Sequence, residues 1–314
     1  MKRLLIADRT HEVLEERLRE AGFEVSVEPD HDYESLVRAA QGCEALVVRS
    51  KVIIDRAFID RVPSLRCIGR VGAGMETIDV DYAESKGIRC LNSPEGNRDA
   101  VGEHAVGLLL AMLDNIARAD AEVRQGLWHR EANRGLELGS LTVGIIGYGN
   151  MGQAFARRLS GFGCRIVVYD KYKDLKDTED LKVVGLAELQ READVVSFHV
   201  PLTDETRHYL DAGFVESMAK PFFVLNTARG AVVDTEALVQ GLESGKVRGA
   251  ALDVLEYENM QADGLGDVPP SVQYLMRSPR TVLTPHVAGW TVESKYKLAA
   301  VLADKIMEVL SVKC

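Results

Sequence analysis

The chain has 314 residues, 46% of them hydrophobic and 27% charged, with a formal net charge of −10. That length holds about two domains of roughly 150 residues each. The acidic balance and the lack of any long basic block argue against nucleic acid and anionic membranes as electrostatic partners, although a local arginine cluster remains compatible with a small anion.

MKRLLIADRT opens on a basic pair, but its apolar run LLIA stops at Asp8 and is too short for a signal peptide. No apolar run approaches the roughly 18 residues of a membrane-spanning helix. The five cysteines (Cys43, Cys67, Cys90, Cys164, Cys314) show no CxxC or metal-type spacing. An unpatterned odd count suits a reducing, cytoplasmic setting.

KRLLIAD reads as a strand. HEVLEERLREAG follows with apolar residues at helical spacing and Gly22 as C-cap. FEVSVEP, ALVVRS, RCIGRVG and IRCLNSP are further strands, with helical stretches around 55–61 and 78–87. Short strands alternating with helices predict a parallel sheet with right-handed crossovers. Residues 99–125 read as one long helix whose centre, AVGLLLAML, is apolar nearly all round and so predicts burial on several sides. A second series follows: LTVGIIGYGN, RIVVYD, DVVSFHV, FFVLNTAR, GAALDVL and TVLTPHVAG, with helices near 150–161, 234–243 and 292–310. The loop EYENMQADGLGDVPP is acidic and irregular. The fold class is therefore α/β with two domains.

GYGNMG (147–152) matches GxGxxG. The pattern alone is weak, but here it follows an apolar strand and opens a helix. The next strand, RIVVYD, ends in Asp170, 23 residues after Gly147. Strand, glycine turn, helix, strand and terminal acid make up a dinucleotide fingerprint. Gly147 allows the turn, Gly149 lets a pyrophosphate approach the backbone, and Gly152 lets helix pack on strand. Asn150 and Met151 open the helix whose N–H groups face the phosphates. Asp170 accepts from the ribose hydroxyls and repels a 2′-phosphate, which favours NAD over NADP, with Lys171 and Lys173 acting against that preference.

With FHVPLTDETRHYL (198–210), NTARGAVVD (226–234), ALDVLEYEN (251–259) and TPHVAGWT (284–291) added in this order, the chain resembles the D-isomer-specific 2-hydroxyacid dehydrogenases over nearly its whole length. The resemblance implies a flavodoxin-like substrate domain built from both ends of the chain (1–97 and 287–314), with an NAD-binding Rossmann domain (98–286) inserted. It implies a catalytic set of Arg229, Glu258 and His286. Each suits the chemistry. Arginine offers a forked donor to a carboxylate and an adjacent oxygen. Histidine exchanges protons near neutral pH. A carboxylate orients the ring and stabilises imidazolium. Formate dehydrogenases of the family carry Gln at the glutamate position. Taken singly, Arg229 also reads as a strand cap or a partner of Asp234, His286 as a bonded junction histidine, and Glu258 as a solvated loop acid. The family's usual proline after the glutamate is here Asn259.

The resemblance further places His199, Val200, Pro201 and Thr206 beside the adenine, and assigns Thr227, Ala228 and Gly289 to the cofactor. Asp253 resembles the residue that reaches the nicotinamide carboxamide; its other reading is a strand-end acid. His104 reads as a packed, bonded histidine on the long helix. On the substrate side, Arg49 and Ser50 lie in VVRS, Arg70, Gly72, Ala73 and Gly74 in GRVGAGMETID, and Asn97 in GNRDA. Arg49, Arg70 and Arg130 (in GLWHREANRG) suit a phosphate; Arg130 resembles a residue supplied by a partner subunit. The expected substrate is a small anionic 2-hydroxy acid, 3-phosphoglycerate first, with glyoxylate or hydroxypyruvate reduction and D-lactate oxidation as alternatives. No metal is expected, and a homodimer through the Rossmann domain is. The chain stops at Cys314 soon after its last helix, so no appended regulatory domain is expected. The reading of another class is an NAD(H)-sensing corepressor-like protein, which shares these motifs.

Overall fold

In the computed structural model, residues 2–258 and 268–310 are described; Asn259 and the rest of its loop lie outside them. The chain forms two compact units, one of residues 1–98 with 290–314 and one of residues 99–289.

The first unit carries β1 (Arg3–Ile6), β2 (Glu24–Val27), β3 (Ala45–Val48), β4 (Cys67–Arg70) and β5 (Arg89–Asn92). They form one parallel sheet in the order β2-β1-β3-β4-β5. The central strands β1, β3 and β4 are apolar on both faces because both are covered. Leu4, Ile6 and Val47 pack against Leu298, Leu302 and Ile306 of the helix Val292–Leu310. Leu5, Leu46 and Ile68 pack on the opposite side with Leu36, Phe58 and Ile59. The last helix therefore closes the first sheet, as the resemblance implied.

The second unit holds β6 (Thr142–Ile146), β7 (Arg165–Tyr169), β8 (Lys182–Val183), β9 (Val195–Phe198), β10 (Phe222–Asn226), β11 (Val247–Leu252) and β12 (Thr281–Leu283). Their order is β12-β11-β10-β9-β6-β7-β8, again parallel. The chain enters at β6, winds out to β8, then returns to β9 and winds the other way. The switch point lies between β6 and β9, where α/β sheets bind ligands.

Three details differ from the sequence reading. The two-residue β8 and the short helices Leu186–Glu192, Ala212–Ser217 and Pro270–Arg277 were not anticipated. The helix expected over 99–125 is two helices, Arg98–Leu113 and Ile116–Arg124, bent by 62° at Asn115, whose φ is +54°. Left-handed backbone at one residue ends an α-helix. Only the first of the two is buried, through Ala105, Leu108, Leu109, Met112 and Leu113. Finally, Arg98 falls in the first unit and residues 287–289 in the second, where the sequence reading gave each to the other. The Asp253 carboxylate takes the backbone N–H groups of Val287 and Ala288, both at 2.9 Å, and so ties them to β11.

His199 follows β9 with its ring turned into the core. Nε2 lies 2.8 Å from Ser197 Oγ, and the ring packs 5.2 Å from Phe155. Burial keeps the imidazole neutral and pushes its pKa down to about 3. An unfolded histidine titrates near 6.5, so the unfolded chain binds the extra proton between those values. The stabilisation is complete above about pH 6.5 and is lost at up to ~1.4 kcal/mol per pH unit as pH falls towards 3. Urea unfolding of wild type and His199→Gln from pH 7.5 to 4.5 is expected to show a shallower acid slope for the variant; parallel slopes would place that ring in a wetter site than this.

Candidate active site

The glycine turn after β6 meets both requirements of its motif. Gly147 has φ +91°, and a Cβ there would stand 2.7 Å from the His199 carbonyl oxygen. A Cβ on Gly152 would stand 2.1 Å from the Gly147 carbonyl oxygen, so helix and strand approach too closely for any side chain. Gly149 is different: a Cβ there meets nothing within 4 Å. It is the N-cap of the helix Asn150–Leu159, which has no side-chain cap. That open space over uncapped N–H groups is the cradle a pyrophosphate needs. The residues present fit a dinucleotide.

Asp170, at the end of β7, holds this turn. Its Oδ2 accepts from Tyr148 N at 2.8 Å, and its Oδ1 from Tyr172 N at 3.0 Å and Lys173 N at 3.1 Å. Burial raises its pKa, but these three N–H groups and the Lys173 charge outweigh that, and the carboxyl lies below the usual range. The two neighbouring lysines are engaged elsewhere: Lys171 pairs with Glu205, and Lys173 Nζ donates to the Tyr148 carbonyl at 2.9 Å.

Past β9, Val200 and Pro201 lead to Thr206, whose hydroxyl donates to the Pro201 carbonyl at 2.6 Å and closes that loop. The His199 ring is internal, and its Nδ1 is buried without a hydrogen-bond partner among the described residues. After β10, Thr227 Oγ1 is buried with no hydrogen-bond partner among the described residues. A buried hydroxyl in that state suits a site that a ligand completes.

The three residues implied as catalytic follow three adjacent strands. Arg229 follows β10, Glu258 follows β11 and His286 follows β12. Buried Asn226 shapes the arginine turn: its Oδ1 accepts from Ala228 N at 3.0 Å and its Nδ2 donates to the Arg229 carbonyl at 2.9 Å. Arg229 Nη1 donates to the Ala228 carbonyl at 2.7 Å. His286 Nδ1 lies 2.8 Å from Glu258 Oε1. The other carboxylate oxygen of Glu258 accepts from Leu255 N at 3.2 Å. His286 has φ +54°, a conformation unfavourable to a side chain with a Cβ. It is held there by its own N–H on the Asp253 carbonyl at 2.7 Å.

Asp253 has a larger part here than the sequence suggested. It is almost fully buried, and Oδ1 accepts from Thr284 Oγ1 at 2.6 Å as well as from Val287 N. His104 Nε2 reaches Thr284 Oγ1 at 3.0 Å. Burial raises the Asp253 pKa; His104, Thr284 and the two N–H groups lower it further and keep it ionised. The carboxylate organises the segment that carries His286, which is the strand-end reading of this acid extended to a neighbour.

In the first unit, Arg49 and Ser50 end β3, and Arg70 ends β4, with Val48 paired to Arg70. Two guanidinium groups thus stand at neighbouring strand ends. The Arg49 guanidinium lies over the ring of Trp290, 5.1 Å from its centroid, and the Arg49 backbone N–H donates to Asp8 Oδ2 at 2.7 Å. The Arg70 guanidinium crosses Gly72, where a Cβ would meet Nη1 at 2.2 Å. The Gly72–Ala73–Gly74 loop is pinned by Ser93 N on the Gly72 carbonyl (2.9 Å) and Asn92 Nδ2 on the Ala73 carbonyl (2.6 Å). Asn97 Oδ1 is buried without a partner among the described residues. Arg130 belongs to the other unit, on an exposed loop. Trp290 was the residue missed; it stands in the quoted TPHVAGWT, but nothing in the sequence pairs it with Arg49.

Residues 106–288 match the model of the D-isomer specific 2-hydroxyacid dehydrogenase NAD binding domain. A hydroxypyruvate reductase of Thermotoga maritima is 36% identical over 293 residues, 92% of this chain and 92% of that one. A D-3-phosphoglycerate dehydrogenase of Methanocaldococcus jannaschii is 36% identical over 313 residues, which cover 99% of this chain but 58% of the relative. Among solved structures, a glyoxylate reductase from Paecilomyes thermophila superposes with a TM-score of 0.86 at 28% identity, covering 99% of this chain and 96% of that one. The chain belongs to the D-isomer specific 2-hydroxyacid dehydrogenase family, whose matched domain binds a nicotinamide cofactor.

Proposed function

We propose that the protein is an NAD-dependent oxidoreductase that interconverts a small anionic D-2-hydroxy acid and its 2-oxo acid. The observation that carries this reading is the His286–Glu258 pair at 2.8 Å, following β12 and β11 in the row of three adjacent strands whose third, β10, presents Arg229. With Nδ1–H donated to Glu258, the neutral imidazole leaves Nε2 free of hydrogen and able to accept the substrate hydroxyl proton. Glu258 then stabilises the imidazolium. Arg229 binds the carboxylate and polarises the oxygen on the adjacent carbon. When bound, the nicotinamide supplies the hydride acceptor or donor. The carboxylate at Asp170, with Lys171 and Lys173 turned to other partners, supports NAD over NADP.

For the substrate, Arg49 and Arg70 at adjacent strand ends support a phosphorylated acid, 3-phosphoglycerate. The second reading, hydroxypyruvate or glyoxylate reduction, is favoured by the Thermotoga maritima relative, which this chain matches along nearly its whole length. A panel of 3-phosphoglycerate, phosphohydroxypyruvate, hydroxypyruvate, glyoxylate and D-lactate, run with NAD(H) and NADP(H) on wild type and Arg70→Ala, separates them. The phosphate reading expects Arg70→Ala to raise KM for the phosphorylated substrates about tenfold or more, the weight of one charge-assisted contact. Preference for glyoxylate with no effect of Arg70→Ala overturns it. Cofactor binding without turnover on any 2-hydroxy or 2-oxo acid overturns the enzyme reading in favour of a cofactor sensor.

We also propose a homodimer formed through the region 99–140. The helix Ile116–Arg124 buries none of its residues, and Val123 and Trp128 are 51% and 75% exposed. The free thiols of Cys43, Cys67, Cys90 and Cys164 support a reducing, cytoplasmic setting.

A further inference from the structure

The turn that carries Glu258 is fixed from behind by a second acid. Glu256 bonds to Thr235 and His208, and its side chain is 14% exposed. Oε2 accepts from Thr235 Oγ1 at 2.8 Å and Thr235 N at 3.2 Å, at the start of the helix Thr235–Ser244. Oε1 lies 2.6 Å from His208 Nε2. His208 in turn donates its backbone N–H to the Ala231 carbonyl at 2.7 Å, two residues past Arg229. Gly230 presses on the same turn, since a Cβ there would stand 2.0 Å from the carbonyl carbon of Leu255. The Leu255 N–H is the group that holds Glu258 Oε2, and the Glu258 N–H returns to the Leu255 carbonyl at 3.2 Å. Three chain segments, 208–210, 229–235 and 253–258, therefore lock together at one carboxylate.

We propose that Glu256, held by Thr235 and His208, is a positioning residue that sets the Glu258 carboxylate against His286 and keeps the Arg229 turn in register with it. The three contacts of the Glu256 carboxylate tie the turn that carries Glu258 to two other chain segments, and small displacements at a reacting group are costly: about 1 Å can cost on the order of a hundredfold in rate. Burial raises the Glu256 pKa, but Thr235 and His208 outweigh it, so the brace is charged in the folded protein.

This inference rests on the reading of Glu258 and His286 as the proton-transfer pair, and the test separates the two. Glu256→Ala, Glu256→Gln, Thr235→Val and Glu258→Gln are compared by kcat, KM, NADH affinity from fluorescence, and the titration of the His286 ring C–H resonance, assigned with His286→Gln. Glu256→Ala is expected to lower kcat about tenfold to a hundredfold with NADH affinity unchanged, and to shift the His286 titration in the same direction as Glu258→Gln. Glu256→Gln, which still accepts from Thr235, is expected to recover most of the rate. If Glu256→Ala does not fold, Thr235→Val decides, with a smaller shift of the same sign. A loss of activity that only tracks the unfolded fraction, with the His286 titration in place, overturns the brace. If Glu258→Gln itself leaves that titration and kcat untouched, it is the catalytic reading that fails, and the brace falls with it.

Discussion

His286→Gln is expected to lower kcat by about 10²–10⁴-fold, the range that a positioned general acid–base contributes, while leaving NADH affinity near that of wild type. In the proposed mechanism the ring is the proton acceptor in oxidation, and glutamine is neither a base nor an acid in this range. The 147–152 turn and Asp170, proposed to hold the dinucleotide, follow β6 and β7, strands away from β12. Glu258→Gln is the sharper companion. The amide still fills the space at 2.8 Å from Nδ1, but the anion is gone. The sign follows from charge. Without the carboxylate the imidazolium is less stable, so the neutral ring persists to lower pH. The acid limb of kcat/KM for oxidation, which needs the neutral ring, is therefore expected to move to lower pH, and the alkaline limb for reduction, which needs imidazolium, to move the same way. Steady-state rates in both directions from pH 5 to 10 check this. Turnover by His286→Gln within tenfold of wild type would falsify the assignment.

The parts of this site that can be read from the sequence are those whose signal is local. Apolar runs four to six residues long announce strands. GYGNMG announces its turn because glycine spacing within one segment has one geometric use there, and NTARG and TPH stand directly after strands. The parts that could not be read depend on register between distant segments. Glu256 and His208 are 48 residues apart in the chain, and only the crossover from β9 to β11 makes them neighbours. The same holds for Asp253 and Val287, 34 apart. His286 carries no sequence sign of its positive φ, because that conformation is imposed by the bonds of Asp253 and is not a preference of histidine. The bend at Asn115 was hidden for the opposite reason. The apolar pattern of AVGLLLAML runs straight into it, and periodicity has no term for one left-handed residue. In the first unit, Arg49 could be placed at a strand end from the sequence, but its stack on Trp290 joins the beginning of the chain to its end.

Two glycines are expected to separate architecture from ligand binding when each is changed to alanine. At position 230 the new Cβ would stand 2.0 Å from Leu255 C and O and 2.5 Å from Glu256 N. These are backbone atoms, so no rotamer change relieves the overlap; the Arg229 turn and the Glu258 turn must move apart. Overpacking of this kind costs about 1–3 kcal/mol. Because both turns carry groups of the proposed catalytic set, kcat is expected to fall by about a hundredfold even in the folded fraction at saturating cofactor. At position 149 the Cβ enters open space, and the backbone there (φ −78°) accepts alanine. Alanine caps a helix less well than glycine, but it also restricts the unfolded chain by about 0.4–1 kcal/mol, so stability should change little. What alanine does fill is the approach of a pyrophosphate to the helix N-terminus. NADH affinity is therefore expected to weaken about tenfold or more, ~1.4 kcal/mol, with kcat recovered at high cofactor concentration. Thermal melts, NADH fluorescence titrations and kcat at saturation read the two apart. A Gly149→Ala enzyme that binds NADH like wild type would place the dinucleotide somewhere other than this turn, and a Gly230→Ala enzyme with full kcat would mean that the two catalytic turns do not need each other's backbone to hold their geometry.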